Sequence, residues 1–142
     1  MPRIAVCYLV DRRGRVLLQH RDEHAPRAAE QWGIVGGHVE DGEDFDTAVR
    51  RELLEETGVR LGPEELRLWW EGDFAYSDGH RSHYRVYAAQ VDLTDADIVL
   101  GEGRAIVFVD PEEALSLDLA ESNAHLLPRF LASDVYRGWT TV

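Results

Sequence analysis

The sequence predicts a mixed α/β domain, and two kinds of local pattern with one junction between them carry that expectation. Short runs rich in Val, Ile, Leu and aromatic residues, bounded by Gly, Asp and Ser, have the composition of strands. One stretch from about Glu43 to Thr57 has helical periodicity with acidic residues at its start and Gly58 at its end. The two kinds of segment meet at Gly36-Gly37, a pair that allows a tight backbone path and ends the strand before it.

In chain order, Ile4–Val10 and Arg15–His20 are expected to be strands of a hairpin turning at Asp11-Arg12-Arg13-Gly14. His24–Gln31 has no period and is read as a loop, and Trp32–Val35 as a short strand. After the central helix, Leu66–Tyr76 and Arg81–Val91 flank a turn at Ser77-Asp78-Gly79-His80, and Ala105–Val109 forms another strand. Pro111 opens a short helix through Leu115. Ser122–Ala132 is the expected C-terminal helix, which Pro128 should end or kink.

Composition narrows the function classes. At 142 residues with 44% hydrophobic and 30% charged residues, the expectation is one globular domain over 1–142. The apolar run Ile4–Val10 is too short for a signal-peptide core or a bilayer span, so the expected location is cytoplasmic, with no membrane partner. A net charge of -12 argues against a nucleic-acid surface. The chain has no lysine, so a phosphate ligand must meet arginine or a bound cation. Cys7, the single cysteine, excludes an intrachain disulfide and a multi-cysteine zinc site and is read as a buried small hydrophobe.

On a helical wheel Phe45, Ala48 and Val49 define an apolar stripe, and the next residues along it are Glu52 and Glu56, with Glu55 at its edge. A plain reading makes these acids a solvated helix end, partly offset by Arg50 and Arg51. That reading leaves unexplained why they continue the buried stripe. A cation site explains it, and hard oxygen ligands without His or Cys suit Mg²⁺ or Mn²⁺. Such an ion also lets an acidic protein hold a polyanion.

The segment GGHVEDGEDFDTAVRRELLEETGV, Gly36 to Val59, resembles the Nudix box, Gly-x5-Glu-x7-Arg-Glu-U-x-Glu-Glu-x-Gly-U with U apolar. Every fixed place is filled, by Gly37, Glu43, Arg51, Glu52, Leu53, Glu55, Glu56, Gly58 and Val59. At ordinary residue frequencies a chance match in so short a chain is below about one in a million, which makes the resemblance specific. LLQHR, WGIVGG and GEGRAIVFVDPEEAL extend it more weakly over most of the chain, and Val35 departs from the proline many members carry before the paired glycines.

The resemblance implies a Nudix-like α/β/α sandwich with a mixed central sheet. It also implies divalent-metal-dependent hydrolysis of a diphosphate linkage in a nucleotide sugar, a dinucleoside polyphosphate or a nucleoside triphosphate, by water attack at phosphorus. By position Glu56 and Glu55 resemble the principal metal ligands, and Glu52 a further ligand or the general base, oriented by Arg51. Gly37 resembles the position whose backbone approaches the metal, Glu43 the structural carboxylate of the box, and Glu102 a carboxylate added from outside it. Homodimers are common in the family.

Outside the box, Arg81 and Arg85 are the nearest arginines for phosphate, with His83 beside them and His80 also flanking the turn; Tyr76 is placed to stack on a base, against the alternative that strand aromatics are core. A tyrosine at about this distance after the box is associated in the family with diadenosine polyphosphate substrates. His38 is read as an exposed loop residue. Two other classes compete with catalysis. One is a silent nucleotide sensor, disfavoured because no box acid is missing. The other is a prenyl diphosphate isomerase, disfavoured because Cys7 in the first strand is poorly placed.

Overall fold

The computed structural model describes residues 1–101 and 103–140. Its centre is β1 (Arg3–Val10), whose last seven residues are all buried. A strand covered on both faces is apolar at every position instead of alternating, and this is the environment of parallel pairing. β1 pairs in parallel with β6 (Arg81–Gln90) along its whole length, Arg3 opposite His83 through Val10 opposite Gln90. Its other edge is shared antiparallel by β4 (Val35–His38) and β2 (Val16–His20). β5 (Arg67–Ala75) forms an antiparallel hairpin with β6, while β3 (Trp32–Gly33) and β7 (Ala105–Val109) pair with β2. The sheet is therefore mixed, as expected.

Alternation along β1 divides the core into two layers. Ala5, Cys7 and Leu9 pack under α1 (Phe45–Thr57) against Ala48, Val49 and Leu53. Ile4, Val6, Tyr8 and Val10 face α3 (Glu121–Leu131), meeting Leu126, Leu127 and Phe130. Tyr8 stacks on Phe130 at 4.6 Å and donates its hydroxyl to Asn123 Oδ1 at 2.7 Å, so its buried polar end is satisfied. α2 (Pro111–Ser116) and α4 (Asp134–Thr140) complete the second helical layer. No helix among the described residues is long and apolar enough to cross a membrane.

Most strand ends lie within a residue of expectation, and the departures have local causes. Gly36-Gly37 does not end a strand: both lie within β4, opposite Val6 and Ala5. At Gly36 φ is +135°, and a Cβ there would sit 2.3 Å from the Ala5 carbonyl oxygen, so the pair is needed for close approach to β1. α1 begins at Phe45, not Glu43, because Asp44 is the N-cap and accepts the Thr47 N–H at 2.7 Å. Gly58 ends it as expected, at φ +75° with its N–H donated to the Leu54 carbonyl at 2.9 Å. α3 continues through Pro128 for three more residues, to Leu131. α4, unforeseen, is anchored by Tyr136, which donates its hydroxyl to the Gly14 carbonyl at 2.6 Å across the first hairpin turn.

Candidate active site

The side of α1 that begins as core becomes the wall of a cleft. Ala48, Val49 and Leu53 are buried against the sheet, and one turn on Glu56 is still only 6% exposed. Its carboxylate is held by β4, because Gly36 donates its N–H to Oε1 at 2.9 Å. Glu52 lies against the next residue of the same strand: a Cβ on Gly37 would stand 2.8 Å from the Glu52 carboxyl carbon. Only a residue without a side chain leaves that carboxylate room beside the backbone. The glycines thus serve two ends, Gly36 the strand pairing and Gly37 the carboxylate.

Arg51 organises the acids around it. It donates Nε and Nη2 to the two Glu43 oxygens at 2.7 and 3.0 Å, a bidentate fork, and Nη1 to Glu52 at 3.1 Å and Glu55 at 3.3 Å. Nη2 also reaches the His38 carbonyl at 3.2 Å, tying the helix to the end of β4. Hydrogen bonds from Arg51 and from the Glu40 N–H hold the Glu43 carboxyl below the usual carboxylate range. The hydrogen bond to Glu43 foremost, with the charge of Glu52, pushes the Arg51 guanidinium higher still.

Glu52 and Glu56 line a cleft of about 590 Å³ together with Gly36, Gly37 and His38. Glu55 does not line it; its side chain is 60% exposed and turned to Arg51. Among the described residues no three His, Cys, Asp or Glu side chains form a compact cluster that could hold a metal ion. The donor chemistry nonetheless fits a hard divalent cation, since two partly covered carboxylates and the backbone of a side-chain-free residue meet at the cleft. Glu102 lies outside the described residues.

The residues expected to contact substrate divide between the two faces of the sheet. Tyr76 and Arg81 line the cleft, as does His80. His83 and Arg85 do not. Alternation along β6 turns Ser82 and Tyr84 to the cleft and carries His83 and Arg85 to the face of α1, whereas Arg81, of the same parity but at the strand's first position, lines the cleft while lying 3.8 Å from Asp73. There His83 is clamped between Glu71 and Asp73 at 2.7 and 2.6 Å, which holds its imidazole pKa above the ordinary value, the Glu71 hydrogen bond contributing most. Arg85 lies over the Phe45 ring and pairs with Glu71 at 3.2 Å. Cys7 is fully buried, and that burial pushes its thiol pKa far up, which fits a core role.

The opposite wall comes from the residues just after β2 and from the aperiodic segment that starts at His24. Arg21, Asp22, His24, Pro26 and Arg27 all line the cleft. The Arg21 side chain passes over Gly33, where a Cβ would come within 3.0 Å of its Nε, and that nitrogen is buried with no hydrogen-bond partner among the described residues. The available signal was charge: Arg21 and Arg27 are cations beside an acidic helix end, in a chain without lysine.

A buried-to-exposed row of glutamates on one helix, braced by arginine and opening on a cleft beside a glycine strand, defines an acid-lined hydrolase site. The chain belongs to the NUDIX domain family, whose model matches residues 1–130, and it is a Nudix-type hydrolase acting on phosphoanhydride bonds. It is 31% identical over 132 residues to the nucleoside triphosphatase NudI of Salmonella paratyphi B, covering 88% of this chain and 94% of that one. Among solved structures it resembles the MutT protein of Methanosarcina mazei Go1, at TM-score 0.76 and 23% identity over 91% of both chains. It also resembles the E. coli dihydroneopterin triphosphate pyrophosphohydrolase, at TM-score 0.71 and 23% identity over 92% of this chain and 94% of that one. At these identities the two structures speak for the fold.

Proposed function

We propose that this hydrolase is a divalent-metal-dependent nucleoside triphosphate pyrophosphohydrolase that releases a nucleoside monophosphate and pyrophosphate. The observation that carries the reading is the pair Glu52 and Glu56 on the cleft wall, one beside Gly37 and the other bound to the Gly36 N–H. The similarity to a nucleoside triphosphatase over nearly the whole of both chains supports the choice of substrate.

Glu56, Glu52 and the Gly37 backbone would hold Mg²⁺ or Mn²⁺, with Glu102 as a further ligand; Glu55, turned outward to Arg51, would join them only on leaving that pairing. When bound, the ion supplies positive charge for phosphoryl oxygens and acidifies a coordinated water. Glu52 takes the proton of the attacking water at a carboxylate oxygen, and Arg51 fixes the direction of that carboxylate. Arg51 is itself held by Glu43, so its fork cannot swing toward the substrate. Arg21 binds phosphate oxygens from the other wall, a role supported by its buried Nε, which has no hydrogen-bond partner among the described residues, and Arg81, which also lies 3.8 Å from Asp73, does so from the start of β6.

The test is a panel of ribo- and deoxyribonucleoside triphosphates, nucleotide sugars, dinucleoside polyphosphates and ADP-ribose, incubated with Mg²⁺ or Mn²⁺ and followed by product identification. The expected result is monophosphate and pyrophosphate from a triphosphate. Turnover unaffected by chelation, or confined to the other substrate classes, refutes the proposal.

A further inference from the structure

The chain between β2 and β3 builds the wall opposite α1, and its shape fixes where Arg21 points. Arg21 donates Nη1 to the Arg27 carbonyl at 3.3 Å, so the segment folds around that side chain. The Arg21 N–H donates to the Gln31 carbonyl at 3.0 Å and closes the neck of the segment. Two residues within it, Ala28 and Glu30, hold positive φ, +57° and +62°, without being glycine. A side chain in that region is strained, and the conformation persists only where neighbouring contacts outweigh the strain.

At Glu30 those contacts come from three directions. Its N–H donates to the Asp22 carbonyl at 3.2 Å, its carbonyl accepts from His20 Nε2 at 3.0 Å, and its carboxylate accepts from Arg104 Nη2 at 2.9 Å. Arg104 is itself placed by the sheet, because it immediately precedes β7 and donates its N–H to the His20 carbonyl at 2.9 Å. The ion pair is exposed, Glu30 at 61% and Arg104 at 43%, and such a pair contributes little by itself. That contribution is nevertheless of the same small order as the strain of one non-glycine residue at positive φ. The joint is therefore close to balance, and one contact decides which shape the segment keeps. Neither Glu30 nor Arg104 lines the cleft, so their effect on a substrate passes through the segment.

Building on the phosphate contact proposed for Arg21 above, we infer that the Arg104–Glu30 pair is a positioning lock, which holds the opposite wall in the shape that presents Arg21 to substrate phosphates. Arg21 is the contact; Arg104 and Glu30 are positioning residues that set phosphate affinity from outside the cleft. A carboxylate near a phosphate site acts against anion binding by repulsion. As part of the lock, Glu30 instead strengthens it. The sign of the effect of removing Glu30 therefore separates the two roles.

The experiment measures binding of α,β-methylene ATP with Mg²⁺ by calorimetry in the full chain and its variants, a probe that cannot be cut between its α and β phosphates. Arg104→Ala and Glu30→Ala each lose the pair while the strain stays, and each is expected to weaken binding by about three- to fivefold, as the competent shape becomes a minor population. Glu30→Gly takes the same φ without strain and is expected to stay within about twofold of the parent. In that background Arg104→Ala adds nothing. Arg104→Lys keeps a charged donor for Glu30 and also stays within about twofold. Hydrogen exchange at the Arg21 and Glu30 amides, the donors at the neck, is expected to quicken in Arg104→Ala and Glu30→Ala. Unchanged binding in Arg104→Ala, or tighter binding in Glu30→Ala, overturns the inference. An equal loss from Arg104→Ala with and without Glu30→Gly would make Arg104 a direct phosphate contact and overturns it too, as does the absence of probe binding in the parent chain. Because no turnover is involved, a chain that fails the hydrolysis panel and still shows this binding pattern keeps the lock and loses only the proposed reaction.

Discussion

Arg51 and Glu43, eight residues apart, meet as a two-pronged pair at 2.7 and 3.0 Å, one on the helix and the other in the loop that leads into it. The pair is therefore a clamp between the catalytic helix and the loop that joins it to the glycine strand. A guanidinium makes both bonds to one carboxylate while a third nitrogen still reaches Glu52; an ammonium is a point charge and makes only one arm of this. Arg51→Lys is expected to lower kcat by about 10- to 100-fold with a small change in KM, and to lower stability by about 1–2 kcal/mol. Steady-state kinetics and urea unfolding check the two effects separately.

The two glycines of β4 separate structure from chemistry. Gly36→Ala forces a Cβ to 2.3 Å from the Ala5 carbonyl oxygen at a φ of +135°. Backbone cannot yield there, so the cost is expected at roughly 3 kcal/mol or more. Gly37→Ala places its Cβ 2.8 Å from the end of a flexible side chain, Glu52. Glu52 moves aside, so the stability change is expected below about 1 kcal/mol, while activity falls sharply. Equal stability losses in the two variants, measured by thermal unfolding, would refute this division.

Glu56→Gln keeps an oxygen to accept the Gly36 N–H at 2.9 Å, so the fold is expected to survive. What the amide removes is the negative charge a cation needs. In the parent chain, Mg²⁺ or Mn²⁺ at a hundred times its Kd is expected to stabilise the fold by about 2.7 kcal/mol. In Glu56→Gln that increment disappears. Glu52→Gln, by contrast, is expected to retain part of it while kcat falls by about 10²- to 10⁴-fold. Thermal unfolding with and without the ion, beside turnover, distinguishes a ligand from a base.

Much of this site was legible in the sequence because the helix carries its own evidence. The stripe Phe45, Ala48, Val49 points down the axis at Glu52 and Glu56, and burial does continue along it to Glu56. Glu55, at the edge of the stripe, is the acid that turns outward. His83 and Arg85 share with Arg81 only nearness along the chain, and period-two alternation separates them from Ser82 and Tyr84, which line the cleft with Arg81 at the strand's start. Arg27 was hidden in the segment without period, His24–Gln31, and Arg21 at the end of LLQHR just before it, because a wall built from a loop is specified by tertiary contacts such as Arg21 over Gly33 and Arg27 over Tyr76. α4 was hidden likewise, held by long-range bonds from Tyr136 to the Gly14 carbonyl and from Gln90 to the Trp139 carbonyl.

The His83 clamp sets a pH dependence of stability at a distance from the cleft. Its imidazole gains most from Glu71 and next from Asp73, so the folded pKa lies above the ordinary 6.5. A raised histidine stabilises fully below the unfolded value and loses its contribution as pH rises through the folded one. The Glu71 carboxyl, lowered first by His83 and then by Arg85, contributes in the opposite sense, above its unfolded 4.5, and loses that as pH falls through its folded value. The pair therefore contributes fully between those two unfolded values. Thermal midpoints are expected to decline from pH 6.5 upward, and His83→Gln should reduce that decline. An identical slope in the variant sinks the assignment.

The far end of α1 depends on a glycine outside the box motif. The helix ends with carbonyl groups that have no partner within it. The segment before β7 supplies donors, Val99 N–H to the Thr57 carbonyl at 2.8 Å and Gly101 N–H to the Glu56 carbonyl at 2.9 Å. At Gly101 a Cβ would lie 2.3 Å from the Glu55 carbonyl oxygen, backbone against backbone. Gly101→Ala must lift this segment away from the helix and leave those carbonyls to water. The expected loss is about 1–3 kcal/mol, with fraying at Glu55–Thr57 and a reduced response to divalent cation, since Glu56 sits on the released turn. Hydrogen exchange at the Gly101 and Val99 amides reads the release directly. Retained protection there, together with normal activity, would show that the helix end does not need this support.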